Sequence, residues 1–229
     1  MWSTLQPLAD IFYPRLCLAC SRNLHAHERE LCWQCLHRLP RTHYHRMPDN
    51  PLERLFWGRT QVRAVTSLLF FTKNGITQNL LHRLKYSGQQ EVGLKLGRLL
   101  GRELQNEERF AASSVVIPVP LHPKKMQLRG YNQSALLARG MAESLRLPTG
   151  EALLQRGTYT ESQTRKGRLE RWENVAEAFY CPQPEKLAGK AVLLVDDVLT
   201  TGATLEACAR PLQSAGAVVL MATLACSLR

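Results

Sequence analysis

The stretch Ala191–Thr204, AVLLVDDVLTTGAT, constrains the fold more than any other part of the chain. Ala191 to Val195 are apolar without interruption. Successive strand residues point to opposite faces of a sheet, so a strand that is apolar at every position has both faces covered. Such strands belong to parallel sheets with helices on either side. The rest of the chain supplies the partners. VRAVTSLLFF followed by KNG reads as an extended segment ending in a turn, and SSVVIPVPLHP as a short buried strand running into a proline-punctuated turn. VVLMATLACSL reads as a closing strand. Between these lie helical patterns: ITQNLLHRLKYSG, closed by Gly88; EVGLKLGRLLGREL, with Leu94, Leu96, Leu99, Leu100 and Leu104 on its apolar face; NQSALLARGMAESL; and TLEACARPLQSAGA, which Pro211 should kink. The alternation predicts an α/β fold built on a parallel sheet.

In open parallel sheets ligands sit beyond the carboxyl ends of the strands, which is where Asp196, Asp197 and TTGAT fall. TTGAT offers consecutive backbone N–H groups at the start of a helix, with Gly202 free to adopt unusual dihedrals and Thr200, Thr201 and Thr204 adding hydroxyls. That is a phosphate cradle. The two acids cannot bind phosphate, but they accept hydrogen bonds from sugar hydroxyls and can stabilise positive charge developing at an anomeric carbon. A ribose next to a terminal phosphate satisfies both halves. On their own, adjacent aspartates after a strand more readily read as caps for the next helix; the TTGAT that follows favours the ligand.

Near the other end, Cys17-x-x-Cys20 and Cys32-x-x-Cys35 are separated by eleven residues. Two such pairs can present four thiolates to one tetrahedral zinc, a structural site because four protein ligands leave no open position. His25, His27 and His37 could each replace a cysteine, and the lone Cys181, Cys208 and Cys226 read as small buried hydrophobes. The segment from Pro40 to Arg59 lacks a helical or strand period. Three parts are therefore expected: residues 1–40 as a zinc knuckle, 41–60 as a linker that partly packs down, and 61–229 as the α/β domain. The formal net charge of +11 points to an anionic partner. The first residues do not read as a secretory signal, and no apolar run approaches the ~20 residues needed to cross a bilayer, so the expectation is a cytoplasmic protein without membrane insertion.

VLLVDDVLTTGATL resembles the phosphoribosyl pyrophosphate (PRPP) binding loop of type I phosphoribosyltransferases. LKYSG at Leu84–Gly88, VIPVPLHPKKMQLRGYNQS at Val116–Ser134, SQTRKGRLERWENVAEAF at Ser162–Phe179 and the four-cysteine knuckle narrow the resemblance to the ComF-like, or GntX-like, proteins of bacterial DNA uptake (competence) or DNA utilisation. The resemblance implies a type I phosphoribosyltransferase-like fold with a small N-terminal zinc knuckle. It implies that Asp196 and Asp197 hold the ribose hydroxyls as the catalytic pair, and that Thr200, Thr201, Gly202, Ala203 and Thr204 hold the 5-phosphate. Val119, Pro120, Leu121, His122 and Pro123 would form the pyrophosphate loop, assisted by Lys124, Lys125 and Arg129. Thr158 to Asn174 would be a flap in which Gln163, Arg171 and Asn174 match the family pattern, and magnesium would arrive with PRPP. The alternative for the basic cluster is an ordinary solvated face. Tyr131 and Asn132 serve equally as helix-start residues or ligand contacts, whereas Lys85 and Tyr86 read as a helix end with a packed aromatic. Two functions follow: a binding protein that uses the scaffold for PRPP-like groups or single-stranded DNA beside the uptake machinery, with Tyr131 or Trp172 as a stacking platform, and an active phosphoribosyltransferase with an unidentified nitrogen acceptor. No general base or acceptor pocket stands out in the sequence.

Overall fold

The computed structural model describes residues 15–86, 90–157 and 179–227. Four strands form one parallel sheet: β1 (Ala64–Phe70), β2 (Val115–Pro118), β5 (Ala191–Leu199) and β6 (Val218–Cys226), in the spatial order β1-β6-β5-β2. The register pairs Ala64 with Leu220, Leu193 with Leu220, and Val115 with Val192. Two-residue strands β3 (Gln155–Arg156) and β4 (Phe179–Tyr180) pair antiparallel beside it. The apolar run in β5 is covered on both faces as its composition requires. Leu193 and Val195 enter one core and Val192 and Leu194 the other, the period-two alternation of a pleated strand. Strand β5 continues through the acid pair to Leu199, so Asp196 and Asp197 lie inside the paired strand, Asp196 opposite Thr223.

One core holds α3 (Ile76–Tyr86), α4 (Gln90–Leu104) and α7 (Gln133–Leu145). Helix α4 meets α7 through small residues as well as the expected leucines. A Cβ on Gly97 would lie 2.2 Å from the Leu137 carbonyl oxygen, and one on Gly140 2.1 Å from that of Leu94. Only glycine lets the two backbones approach so closely. Leu94 is correspondingly half-buried, while Leu96, Leu99, Leu100 and Leu104 are buried. The cysteine-bearing segment packs into this same core through Cys17, Leu18 and Leu31. It includes α1 (Trp33–His37), which Cys32 caps with its sulfur accepting the Cys35 amide.

The opposite core holds α8 (Ala203–Ser214), which runs through Pro211. It also holds part of the expected linker, whose Leu52 and Phe56 are fully buried. Asn50 makes this possible. Its side-chain oxygen caps α2 (Pro51–Arg54) by accepting the Leu52 and Glu53 amides, and its Nδ2 donates to the Val65 carbonyl of β1. Two further short helices lie among the described residues, α5 (Glu108–Ala111) and α6 (Pro123–Arg129). Among the described residues no helix is long and apolar enough to cross a membrane.

Candidate functional site

The acid pair sits at the carboxyl end of β5 between α3 and α7. Asp196 Oδ1 accepts from Ser134 Oγ at 2.8 Å and from the Asp197 amide at 2.8 Å. Burial, and then the neighbouring Asp197 carboxylate, push the Asp196 carboxyl up to about 7, well above its ordinary 3.8. Asp197 Oδ2 is 2.9 Å from Lys85 Nζ. The end of α3 therefore turns its lysine into the site, whereas Tyr86 is 62% exposed rather than packed. Two adjacent acids thus share one firm counter-charge, and one of them titrates near neutrality. A carboxyl of that kind both donates and accepts hydrogen bonds, and it is suited to general base chemistry. The sequence does not show this environment, because the groups around the pair, Ser134 and Lys85, are distant in the chain.

The TTGAT turn opens α8. Gly202 has φ +79°, the left-handed region, and a Cβ there would lie 3.0 Å from Phe56 Cζ, so glycine is required on two counts. Thr200, Thr201, Ala203 and Thr204 are exposed. The first amides of α8 have no intrahelical acceptor and carry the positive end of the helix dipole. Glu206 in that first turn would repel an anion if left bare. Burial would raise its pKa, but hydrogen bonds from Arg210 and Arg59 outweigh burial and hold it below its ordinary value. Arg59 also donates to the Thr201 carbonyl at 3.1 Å.

Beside β5 runs Val119–Pro123. Val119 is buried and its amide donates to the Val195 carbonyl at 2.9 Å, so it anchors the loop and offers no ligand contact. Pro120 and Pro123 have no amide hydrogen, and the Lys124 amide donates to His122 Nδ1. Leu121 and His122 remain as the loop's amide donors. Burial, followed by the charges of Arg156, Lys124 and Lys125, holds the His122 imidazole below its usual range. Lys124 and Lys125 are exposed on α6, which buries no side chain; Leu128 on the same helix is 81% exposed. Arg129 lies 5.7 Å over the Tyr86 ring. Tyr131 is buried, its hydroxyl donating to the Leu84 carbonyl at 2.9 Å, so it is no stacking platform; Tyr86 holds the exposed position instead. Asn132 caps α7 by accepting the Ser134 amide. Gln163, Arg171, Trp172 and Asn174, the expected flap residues, lie outside the described residues, as does Gly88.

The sulfur atoms of Cys17, Cys20, Cys32 and Cys35 lie within 4.8 Å of one another, and those of Cys20 and Cys32 are 3.8 Å apart. Tetrahedral zinc with bonds of about 2.3 Å sets its sulfurs about 3.8 Å apart, so the donor set fits the ion. Backbone amides support the sulfurs, Cys32 N donating to Cys17 at 3.3 Å and Cys35 N to Cys32 at 3.4 Å. Burial alone would raise the Cys17 thiol, but amide hydrogen bonds outweigh it and bring it down to about 7. His25 and His27 stack on each other and His37 packs against Trp33, so the cysteines converge without them.

Residues 132–227 match the family model described as the phosphoribosyl transferase domain. The DNA utilization protein YhgH of Escherichia coli O157:H7 is 29% identical over 228 residues, which is 98% of this chain and 95% of that protein. Competence protein F of Haemophilus influenzae is 30% identical over 60% of this chain and 62% of its own length. Competence protein ComFC of Bacillus subtilis is 29% identical over 64% of this chain and 57% of its own. Residues 132–227 are thus similar to a phosphoribosyl transferase domain, and the chain is similar to proteins named for DNA utilization and competence.

Proposed function

We propose that this chain binds PRPP, or a related phosphorylated ribose, with magnesium, and that it acts in DNA uptake or utilisation as the names of its relatives suggest. The observation that carries the reading is the junction of acid pair and cradle: Asp196 and Asp197 lie near the carboxyl end of one strand, which runs on to Leu199, and five residues after Asp197 an exposed helix start presents its amides around Gly202. Ribose hydroxyls donate to the two carboxyls, Asp197 keeping Oδ1 for the sugar while Oδ2 holds Lys85. The amides and hydroxyls of Thr200–Thr204 take the 5-phosphate. The amides of Leu121 and His122, with Lys124, Lys125 and Arg129, take the pyrophosphate. Magnesium arriving with PRPP would be held mostly by the substrate's own oxygens and would offset their charge. Zinc on the four cysteines secures the N-terminal segment.

Calorimetry with PRPP and magnesium tests the reading. Asp197→Asn should weaken binding by about 1.5–3 kcal/mol, the worth of a charge-assisted hydrogen bond, and equal affinity in both proteins would refute the assignment. Pyrophosphate release in the presence of mixed bases and amines separates an active transferase, for which Asp196 is the general base, from a binding protein.

The exposed α6 favours single-stranded DNA as a second ligand. Lys124, Lys125 and Arg129 meet phosphates there while Tyr86 offers a ring face beside Arg129.

A further inference from the structure

His43 and His45 flank Tyr44 in the turn between the cysteine-bearing segment and α2, and Glu103 lies in the last turn of α4. We propose that these three residues bind a divalent transition ion of zinc's class, at a site separate from the four cysteines and independent of the PRPP reading.

Their donor atoms lie within 4.8 Å of one another. The anchor is His45, 2% exposed, whose Nε2 is buried without a hydrogen-bond partner. That nitrogen faces Glu103 Oε2 at 3.7 Å and Glu107 Oε1 at 3.9 Å. Both separations are too long for hydrogen bonds, which close at about 2.7–3.2 Å. An ion bonded at about 2.1 Å to nitrogen and oxygen at a tetrahedral angle holds the two roughly 3.4 Å apart, close to what Glu103 shows. A buried orphan nitrogen therefore has a natural partner in an ion lying between it and the carboxylate.

The surroundings are built to hold these donors. Arg41 engages Glu103 through Oε1, leaving Oε2 for the ion, as outer partners do for ligating carboxylates. Arg46 holds Glu107 through Nε at 3.1 Å, so Glu107 stands as an outer carboxylate able to accept a hydrogen bond from water on the ion. The turn is fastened to β1: Thr42 N donates to the Leu68 carbonyl at 3.1 Å, and Thr42 Oγ1 donates to the Ser67 carbonyl while accepting the Tyr44 amide at 3.1 Å. His43, exposed and at φ 56°, completes the set from the open side. Two imidazoles and one carboxylate select zinc, cobalt or nickel over magnesium or calcium. Three protein ligands leave a fourth position for water or an exogenous ligand.

The test is a cobalt(II) titration of the untagged full chain, stripped of metal, with zinc in competition. Thiolate ligands give an intense sulfur-to-cobalt charge-transfer band that imidazole and carboxylate ligands lack, so the sites report separately. Wild type should take two equivalents, one of them without that band. His43→Asn, which tolerates the left-handed backbone, and Glu103→Gln should each weaken the second site by more than the ~10–100-fold lost with an outer partner, and leave the charge-transfer band unchanged. Cys17→Ser should do the reverse. Binding of only one equivalent by wild type, or a second equivalent untouched by both variants, would overturn the proposal.

Discussion

Replacing Asp196 by Asn removes a charge and little else. Both hydrogen bonds that Asp196 accepts, from Ser134 and from the Asp197 amide, fall on Oδ1, and an asparagine carbonyl can keep both. The native carboxyl is pushed up to about 7 by burial and by Asp197, while the unfolded chain returns it to an ordinary 3.8. A carboxyl raised in the native state contributes stability fully below its unfolded pKa, and that contribution is lost as pH rises through about 7. Over the whole window the loss is at most about 4 kcal/mol, taking about 1.4 kcal/mol per pKa unit. Between pH 5 and pH 8 about 2–3 kcal/mol of it remains to be lost. Asparagine does not titrate, so the variant should gain on the wild type by that amount across the interval. Urea unfolding of both proteins at half-unit pH steps measures the difference, and titrations elsewhere cancel in it. A stability difference that stays flat from pH 5 to pH 8 would show that Asp196 ionises normally, and the general base assignment would go with it.

Gly97→Ala must separate two backbones, because its Cβ would lie 2.2 Å from the Leu137 carbonyl oxygen. Thermal melting should show a loss at or beyond the ~1–3 kcal/mol of ordinary overpacking, and an unchanged melting temperature would mean α4 and α7 do not pack as described. Cys32→Ser should release zinc, whose binding in such knuckles is worth ~10–16 kcal/mol, and expose the N-terminal segment to protease; elemental analysis finding zinc retained would sink the site. Changing Lys124, Lys125 and Arg129 together to Ala should flatten the salt dependence of oligonucleotide binding by roughly two, at ~0.7 for each phosphate that is no longer neutralised. Fluorescence anisotropy at several salt concentrations reads the slope, and an unaltered value would leave the cluster to pyrophosphate or to solvent.

What the sequence revealed was local. The apolar run of β5, the acid pair and TTGAT lie within fourteen residues, so strand, carboxyls and helix start could be read from one short stretch. The four cysteines advertised themselves by spacing. What stayed hidden depends on packing across the chain. Residues 41–60 read as a linker because no period runs through them, yet Asn50 caps a four-residue helix and delivers Leu52 and Phe56 to the core. Lys85 reads as a helix end in the sequence because its partner, Asp197, lies far along the chain. The leucines of α4 drew attention away from its glycines, whose role is set by a helix some forty residues on. Tyr131 and Asn132 allow two readings in the sequence; the burial of Tyr131 and the Ser134 amide bonded to Asn132 support packing and capping.

The bond from Arg59 to the Thr201 carbonyl reaches further than its own length. The described peptides are all trans, and in a planar trans peptide the carbonyl and the following N–H point in opposite directions. Holding the Thr201 oxygen toward Arg59 therefore aims the Gly202 N–H away from it. The orientation of the Gly202 amide is thus set from outside the motif, by a side chain that precedes the first strand of the sheet. A transplanted TTGAT loop would bring its glycine and threonines but not that aim.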